Sequence, residues 1–425
     1  MSTKVIQWKK SSNREVDSMN QQQIMQIFQD TAYVRMGGSP EELRCAQYLQ
    51  GKAAAFGGQA EIVPFDVQMA DMLQAELVVD GKQIPCKGYL CAGSQEVEAP
   101  LYYLRSRDSY ALSQCKGKIV LLDGYLGYWV YQDLLENGAL GFVTYDGNAN
   151  YADRDIDQRE LRGFVSQGKK IPGVNINAKD AVELVRSGAA QAKILLRQNE
   201  YTGQSHNVIL DLPGQREEFI AFTAHYDSTS LSQGAYDNMS GAIGLLAMAE
   251  HFSANPHSYG LRFIWCGSEE RGLLGSKAYC EDPENLKNCV LCINLDMIGC
   301  IMGFFLGCVT GEEKLCHYLS YLGQELGFSI KTQQDVYSSD STPFADKGIP
   351  AVSFAREASS SVATIHNSYD TMALMSGAQM EADIAFIQTF AARMANAAQC
   401  PVAKEMPDSM KEKLDIYLCR KRKKD

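Results

Sequence analysis

A chain of 425 residues is long enough for two to three domains at roughly 100–200 residues each. With 45% hydrophobic and 21% charged residues it has the composition of a globular protein, which excludes a disordered or collagen-like chain. A formal charge of -11 argues against a phosphate backbone as its main partner, so no nucleic-acid binding is expected.

Thirteen cysteines, an odd and irregularly spaced set, read as reduced thiols, and the opening MSTKVIQWKKSSNREVD holds no apolar signal region. Both point to a cytoplasmic protein. Gln21 to Phe28 is apolar at helical spacing, and Ser39-Pro40-Glu41-Glu42 supplies an N-cap, a first-turn proline and a capping-box glutamate for a helix to about Ala55. QAEIVPFDV then reads as a strand and AELVVDGKQIPC as a hairpin about Asp80-Gly81.

From about residue 68 the texture changes. KGKIVLLDG, YQDLLENGA, LGFVTYDG, a polar loop from Asn148 to Lys170, IPGVNIN and AKDAVELVRSG alternate strand with helix, contain no histidine and gather no catalytic constellation. The loop, rich in Asp and Arg, reads as a solvated surface, and binding or lid work suits this unit better than chemistry. The division expected is 1–67 as the N-terminal part of a catalytic domain, 68–204 as an inserted unit and 205–425 as the rest of the catalytic domain.

After Ser205 buried strands dominate: NVILDL, EEFIAFTA, GLRFIWC, CVLCINL and GIPAVSF, with helices between them, predict a doubly wound, mainly parallel α/β sheet. Cys289 and Cys292 have CxxC spacing, but their apolar setting favours strand burial over a zinc site. The longest apolar stretch, Met297 to Val309, is interrupted by glycines and is shorter than the ~20 residues of a bilayer span, so buried strand and turns are expected and no membrane partner. PVAKEMPDSM should close the last long helix, and the basic ending CRKRKKD reads as a frayed, solvated tail.

Four strands run into metal-ligand side chains: EEFIAFTA into His225 and Asp227, GLRFIWCGS into Glu269 and Glu270, CVLCINL into Asp296, and the segment after GIPAVSF into His366. In open α/β sheets the crevice beyond the carboxyl ends of the strands binds ligands. Asp227 could orient the imidazole of His225, Asp370 that of His366, and Asp237 opens the helix DNMSGAIGLLAMAE. For a lone aspartate a helix cap would be the plainer reading. Among this many carboxylates, binding a cation is the better one. Two divalent cations would be balanced by Asp237, Glu270, Asp296 and one hydroxide, leaving Glu269 free as a general base. Imidazole and carboxylate donors without thiolates suit zinc, with manganese or cobalt also accommodated, and the implied reaction is hydrolysis.

These residues resemble the co-catalytic dizinc exopeptidases, metallopeptidase family twenty-eight, which include leucyl aminopeptidases and glutamate carboxypeptidases. The likeness runs in order through SHNVILDLPG, AHYDS, GAYDNMSGAIGLLAMAE, SEERGLLGSKAY, INLDMIG, SDSTPFADKGIPAVSF and IHNSYDT. The resemblance implies His225 and Asp296 on one zinc, Glu270 and His366 on the other, Asp237 as the bridge and Glu269 as the base. It also implies that the inserted unit is a protease-associated domain, on looser pattern. Two departures stand out. Ile365 replaces the carbonyl-polarising tyrosine that some members carry before the last histidine, which makes Tyr337 the candidate substitute, and Ser341 stands where many members have histidine. The expected activity is that of an aminopeptidase acting on peptides with two divalent metal ions, zinc first. A carboxypeptidase or dipeptidase would use the same metals, with Arg356 available either to a substrate carboxylate or, better, to a structural ion pair. A single-zinc cyclotransferase and a non-catalytic receptor-like scaffold are weaker alternatives because the ligand set is complete. The sequence leaves room for a homo-oligomer.

Overall fold

The computed structural model describes residues 19–149 and 156–423. The N-terminal stretch read for a signal region, and Asn150 to Asp155 of the polar loop, lie outside them. Two helices come first, α1 (Gln21–Asp30) and α2 (Pro40–Ala54). Ser39 caps α2 as expected, accepting the Glu42 amide at 3.1 Å. The reciprocal half of the capping box is not made. Glu42 is fully buried, and its carboxylate instead accepts from the Gly38 amide at 3.0 Å and from the Ser205 hydroxyl.

The long strand β1 (Ala60–Val79) turns at Asp80 and Gly81, both at positive φ as a two-residue hairpin requires, into β2 (Lys82–Ile84). There follow β3 (Cys86–Gly88), β4 (Gln95–Leu104), α3 (Ser109–Ser113), β5 (Ile119–Leu122), α4 (Tyr128–Glu136), β6 (Gly141–Asp146), α5 (Gly163–Ser166), β7 (Gly173–Asn177), α6 (Ala178–Ser187) and the long β8 (Gln191–Leu212). β1 and β8 pair antiparallel from Ala60 opposite Leu210 to Val79 opposite Ala192. Positions 67/68 and 204/205 therefore fall inside one continuous ribbon, not in loops. The outer half of β8 carries β4, β5, β6, β7 and β3 with a core of their own around Ile119, Phe142, Val174 and Ile194, while its inner half joins the sheet of the remaining chain.

That remainder consists of β9 (Phe219–His225), α7 (Ser240–Ala254), β10 (Gly260–Cys266), α8 (Leu274–Glu281), α9 (Pro283–Leu286), β11 (Cys289–Leu295), β12 (Phe304–Thr310), α10 (Lys314–Leu326), β13 (Lys331–Gln334), α11 (Ser341–Asp346), β14 (Ala351–Glu357), α12 (Gly377–Ala395) and α13 (Asp408–Tyr417). Its strand order is β13-β12-β14-β11-β9-β10-β8. β14, β11, β9 and β10 are mutually parallel, so their carboxyl ends meet on one edge. The α/β, mainly parallel sheet read from the sequence is the fold.

Cys289 and Cys292 are buried free thiols in β11. Of the stretch from Met297 to Val309, Phe305 to Val309 is buried strand, but Ile301 and Met302 stand exposed in the preceding turn. The C-terminal expectation needs correcting more deeply. PVAKEMPDSM does not close α12 but leads into a further helix, α13; beyond it, among the described residues, Arg420 meets Asp346 at 2.6 and 2.7 Å and Arg422 donates to Asp133, while Arg420 to Lys423 remain exposed.

Arg35 holds the loops around the crevice. Fully buried, it donates to the carbonyls of Tyr226, Thr31, Tyr33, Gln233 and Gly234, tying the segment after α1 to the end of β9 and to the loop that delivers Asp237. Replacing it leaves several buried carbonyls unsatisfied, at about 1–3 kcal/mol each. Arg35→Met should lower unfolding free energy by roughly 3 kcal/mol or more, read by urea denaturation. A loss within 0.5 kcal/mol, the usual range of a surface substitution, would refute this role.

Candidate active site

The four parallel strands deliver the expected residues to one place. His225 ends β9, Glu269 and Glu270 lie just past β10, Asp296 follows β11, and His366 sits in the loop after β14. The Nε2 of His225 lies 3.2 Å from Asp237 Oδ1 and 3.7 Å from Asp296 Oδ1. On the other side the Nε2 of His366 lies 3.1 Å from Asp237 Oδ2 and 3.0 Å from Glu270 Oε2. The two oxygens of Asp237 thus face two separate donor groups, His225 with Asp296 and Glu270 with His366. Within each group of three the potential ligand atoms lie within 4.8 Å of one another. None of the other four histidines belongs to either group.

The local backbone is shaped for this delivery. Asp237 is not a helix cap: it has non-helical φ and ψ of -111° and 90°, and α7 begins only at Ser240. The Asp237-Asn238 peptide is cis. Asn238 accepts from the amides of Gly241 and Met297 and donates to Leu295 O, pinning the start of α7 to the end of β11. A side chain at Gly241 would place its Cβ 2.2 Å from that same carbonyl, so only glycine fits there. Ser268, Met297 and His366 have φ of 54°, 62° and 59°, a region that non-glycine residues visit at a cost and that clusters at functional sites.

Of the two supporting carboxylates, Asp227 stands beside the imidazole as read and Asp370 does not. Asp227 lies 3.5 Å from His225 Nδ1, close enough to orient that imidazole and to help raise it, and its oxygens also accept the amides of Glu269 and Glu270 at 2.9 and 3.2 Å. Asp370 does not hold His366. It accepts from the amides of Tyr236 and Asp237 at 2.8 and 3.1 Å, and burial pushes its carboxyl up to about 6. Each thus fixes the backbone that carries ligands from a different side.

Buried negative charge dominates the electrostatics. Burial, then the neighbouring carboxylates Glu270, Asp340 and Asp296, push Glu269 well above the usual carboxylate range against the opposing His225. Burial disfavours charge on both imidazoles, yet the carboxylates around them win and hold both well above the ordinary histidine value. Glu270 Oε1 and Asp296 Oδ1 are buried without a hydrogen-bond partner among the described residues. Orphaned buried acceptors beside two imidazoles, with no thiolate, are the donor set a divalent cation satisfies.

A cavity of about 1130 Å³ opens over this cluster, lined by Tyr337, Glu357, Ile365 and Tyr417 and by the inserted unit's Tyr89, Leu126, Asp157 to Glu160 and Arg162. From Ile156 to Arg162 the Asp/Arg-rich loop is therefore not a solvated face. Asp157 is buried, Arg159 pairs with Asp146 at 2.5 Å, Arg271 with Glu160 at 2.8 Å, and Arg162 donates to the Glu270 carbonyl at 2.5 Å. The Tyr337 hydroxyl is buried in this cavity without a partner, whereas Arg356 is committed to the buried Asp383 at 2.5–3.2 Å. Sequence reasoning missed Arg35, Glu357 and Tyr417. Glu357 could have been found as the carboxylate closing β14, the last of those four strands.

Comparison with known proteins accords with this geometry. The aminopeptidase YwaD of Bacillus subtilis is 27% identical over 339 residues, 75% of this chain and 71% of that one. The leupeptin-inactivating enzyme 1 of Streptomyces exfoliatus is 33% identical over 153 residues, only 34% of each chain. Among solved structures, a zinc aminopeptidase from Bacillus subtilis superposes with a TM-score of 0.74 at 22% identity, covering 92% of this chain and 99% of that one. The aminopeptidase from Aneurinibacillus sp. strain AM-1 gives 0.73 at 23%, covering 91% and 96%. At those identities the structures speak for the fold. Residues 207–389 match the model of peptidase family M28.

Proposed function

We propose that the protein is a metal-dependent aminopeptidase that removes residues from the free amino end of peptides. The observation that carries this reading is the sharing of Asp237 between two donor groups, with the carboxylate of Glu269 left over beside them. His225 and Asp296 would hold one ion, Glu270 and His366 the other, and Asp237 would join them; zinc suits the donors and is the metal of the Bacillus subtilis structure. When bound, the pair would supply Lewis acidity toward the scissile carbonyl and a water of lowered pKa.

Glu269, pushed upward by its surroundings, takes a proton from the attacking water while the oxygen bonds to the carbonyl carbon, then returns it to the amine nitrogen as the C–N bond breaks. Asp227 fixes the Glu269 and Glu270 backbone. The Tyr337 hydroxyl has its donor free for the oxyanion. Glu357 lines the cavity without a cationic partner among the described residues and suits the substrate's α-ammonium. The inserted unit, which we read as a protease-associated domain covering the crevice, narrows access to solvent.

A carboxypeptidase or dipeptidase reading draws on one feature, the guanidinium of Arg162, which lines the cavity with no carboxylate partner among the described residues. All thirteen cysteines are unpaired, which supports a reducing, cytoplasmic setting. Among the described residues no helix is long and apolar enough to cross a membrane.

Glu269→Gln should keep both metal sites while kcat falls by about 100–10,000-fold, measured with metal content in the same preparation. Loss of the metals would instead make Glu269 a ligand. Against matched free and N-blocked peptides, only the free ones should be cleaved, and Glu357→Gln should raise KM for them by roughly ten-fold or more. Preferential cleavage of N-blocked peptides with a free carboxyl end would favour the carboxypeptidase.

A further inference from the structure

Helix α13 buries Met410 and Leu414 in a small core with Cys266 and Phe344 on the flank of the sheet. Packed there, it contacts one short segment repeatedly. Lys413 Nζ donates to Gln334 O at 2.8 Å and pairs with Asp335 at 3.2 Å, and the Tyr417 hydroxyl shares a 2.6 Å hydrogen bond with Ser338 Oγ. These contacts bracket Tyr337. The end of the helix is in turn anchored by the two-pronged contact of Arg420 with Asp346 in α11, while Arg422 reaches Asp133 and stacks 4.8 Å from the Trp129 ring in α4 of the inserted unit.

Tyr337 itself has no comparable support from its own side chain. Its hydroxyl is buried and unpartnered, so the direction in which it points depends on the backbone of the 335–339 loop. That backbone makes two internal turn bonds, Ser339 N to Tyr337 O at 2.8 Å and Thr342 N to Ser339 O at 2.9 Å. The sheet fixes its two ends, through Asp335 N to Val309 O at 3.1 Å, Thr310 Oγ1 to Asp335 O at 2.7 Å and Asn294 Nδ2 to Ser339 Oγ at 3.0 Å, and Thr342 Oγ1 donates to Tyr337 O at 2.8 Å. Between those ends, the side chain of Ser338 is held by Tyr417. Tyr417 also presents to the same cavity. Aligning a donor with a developing oxyanion tolerates little displacement, since a shift of about 1 Å can cost ~100-fold in rate.

We propose that Tyr417 is a positioning residue of the active site: through Ser338 it sets the loop that aims Tyr337, and the C-terminal helix is thereby a working wall of the substrate pocket. This rests on the aminopeptidase reading, in which Tyr337 is the oxyanion donor.

The test combines Tyr417→Phe, Ser338→Ala, Tyr337→Phe and the Tyr337→Phe/Tyr417→Phe double variant, each with kcat, KM, metal content, Tm and amide hydrogen exchange of residues 335–339. Tyr417→Phe keeps the packed ring and removes one hydrogen bond. It should lower kcat roughly ten-fold with KM, metal content and Tm little changed, and speed exchange across the loop. Ser338→Ala should reproduce it, and the double variant should be no slower than Tyr337→Phe alone, because Tyr417 acts only through that hydroxyl. Additive losses, or a Tyr417→Phe enzyme with wild-type kcat and wild-type loop exchange, would overturn the proposal. A wild-type protein inactive on every free-amine peptide would instead sink the aminopeptidase reading, and loop exchange alone would then decide whether Tyr417 fixes the loop.

Discussion

Six carboxylates, from Asp227, Asp237, Glu269, Glu270, Asp296 and Asp340, converge in a crevice where their side chains are at most about a tenth exposed. Uncompensated, that much negative charge out of water would be prohibitive. The described counter-charges around them are two imidazoles, His225 and His366, and these are enlisted as partners by the carboxylates themselves. The need for further positive charge explains the rest of the site: why Asp237 turns one oxygen to each imidazole, why Glu270 and Asp296 keep acceptors in reserve, and why Glu269 is displaced upward.

A cluster that repels itself has to be held by something stronger than its own contacts, and the fold does this through the backbone. Asp227 and Asp370 each accept two consecutive amides, one pair beside Glu270 and the other at Asp237. Arg35 ties down the carbonyls of the approach to Asp237, and three non-glycine residues are kept in left-handed conformations by the packing around them. The inserted unit takes part as well, since Arg162 reaches the Glu270 carbonyl and Glu160 fixes Arg271. The crevice is thus assembled from both sides of the β1 and β8 ribbon.

That His225, Glu269, Glu270 and Asp296 come together was legible because each lies at or just past a buried strand and parallel strands must end on the same edge; Asp237 before α7 and His366 in the loop beyond β14 join them through the loops around that edge. What Asp370 does was not legible, because proximity to His366 in sequence suggests an imidazole partner, whereas its donors in space are the amides of Tyr236 and Asp237; the amide contacts that Asp227 adds to its place beside His225 were equally hidden. The Arg35 guanidinium bonds to backbone carbonyls, which leave no mark in composition. The described part of the Asp/Arg-rich loop was misread because runs of charge usually face water, but here Asp157 and Arg159 find buried or opposite-charge partners; in the ending CRKRKKD, Arg420 and Arg422 stay exposed, as read, yet each reaches a carboxylate far away in sequence. The ribbon was cut at 67/68 because the change of texture along the chain does not reveal that β1 and β8 pair through it.

The central claim is that two divalent ions share Asp237. The most direct measurement is metal content by mass spectrometry after dialysis of the chelated protein against zinc, on wild type, Asp237→Asn and His366→Ala, since each ligand set can be weakened separately only if there are two. Two ions per chain in wild type, both weakened in Asp237→Asn and one retained in His366→Ala, is the result expected. Saturation at a single ion, or an Asp237→Asn variant that still holds two ions at wild-type affinity, would contradict it.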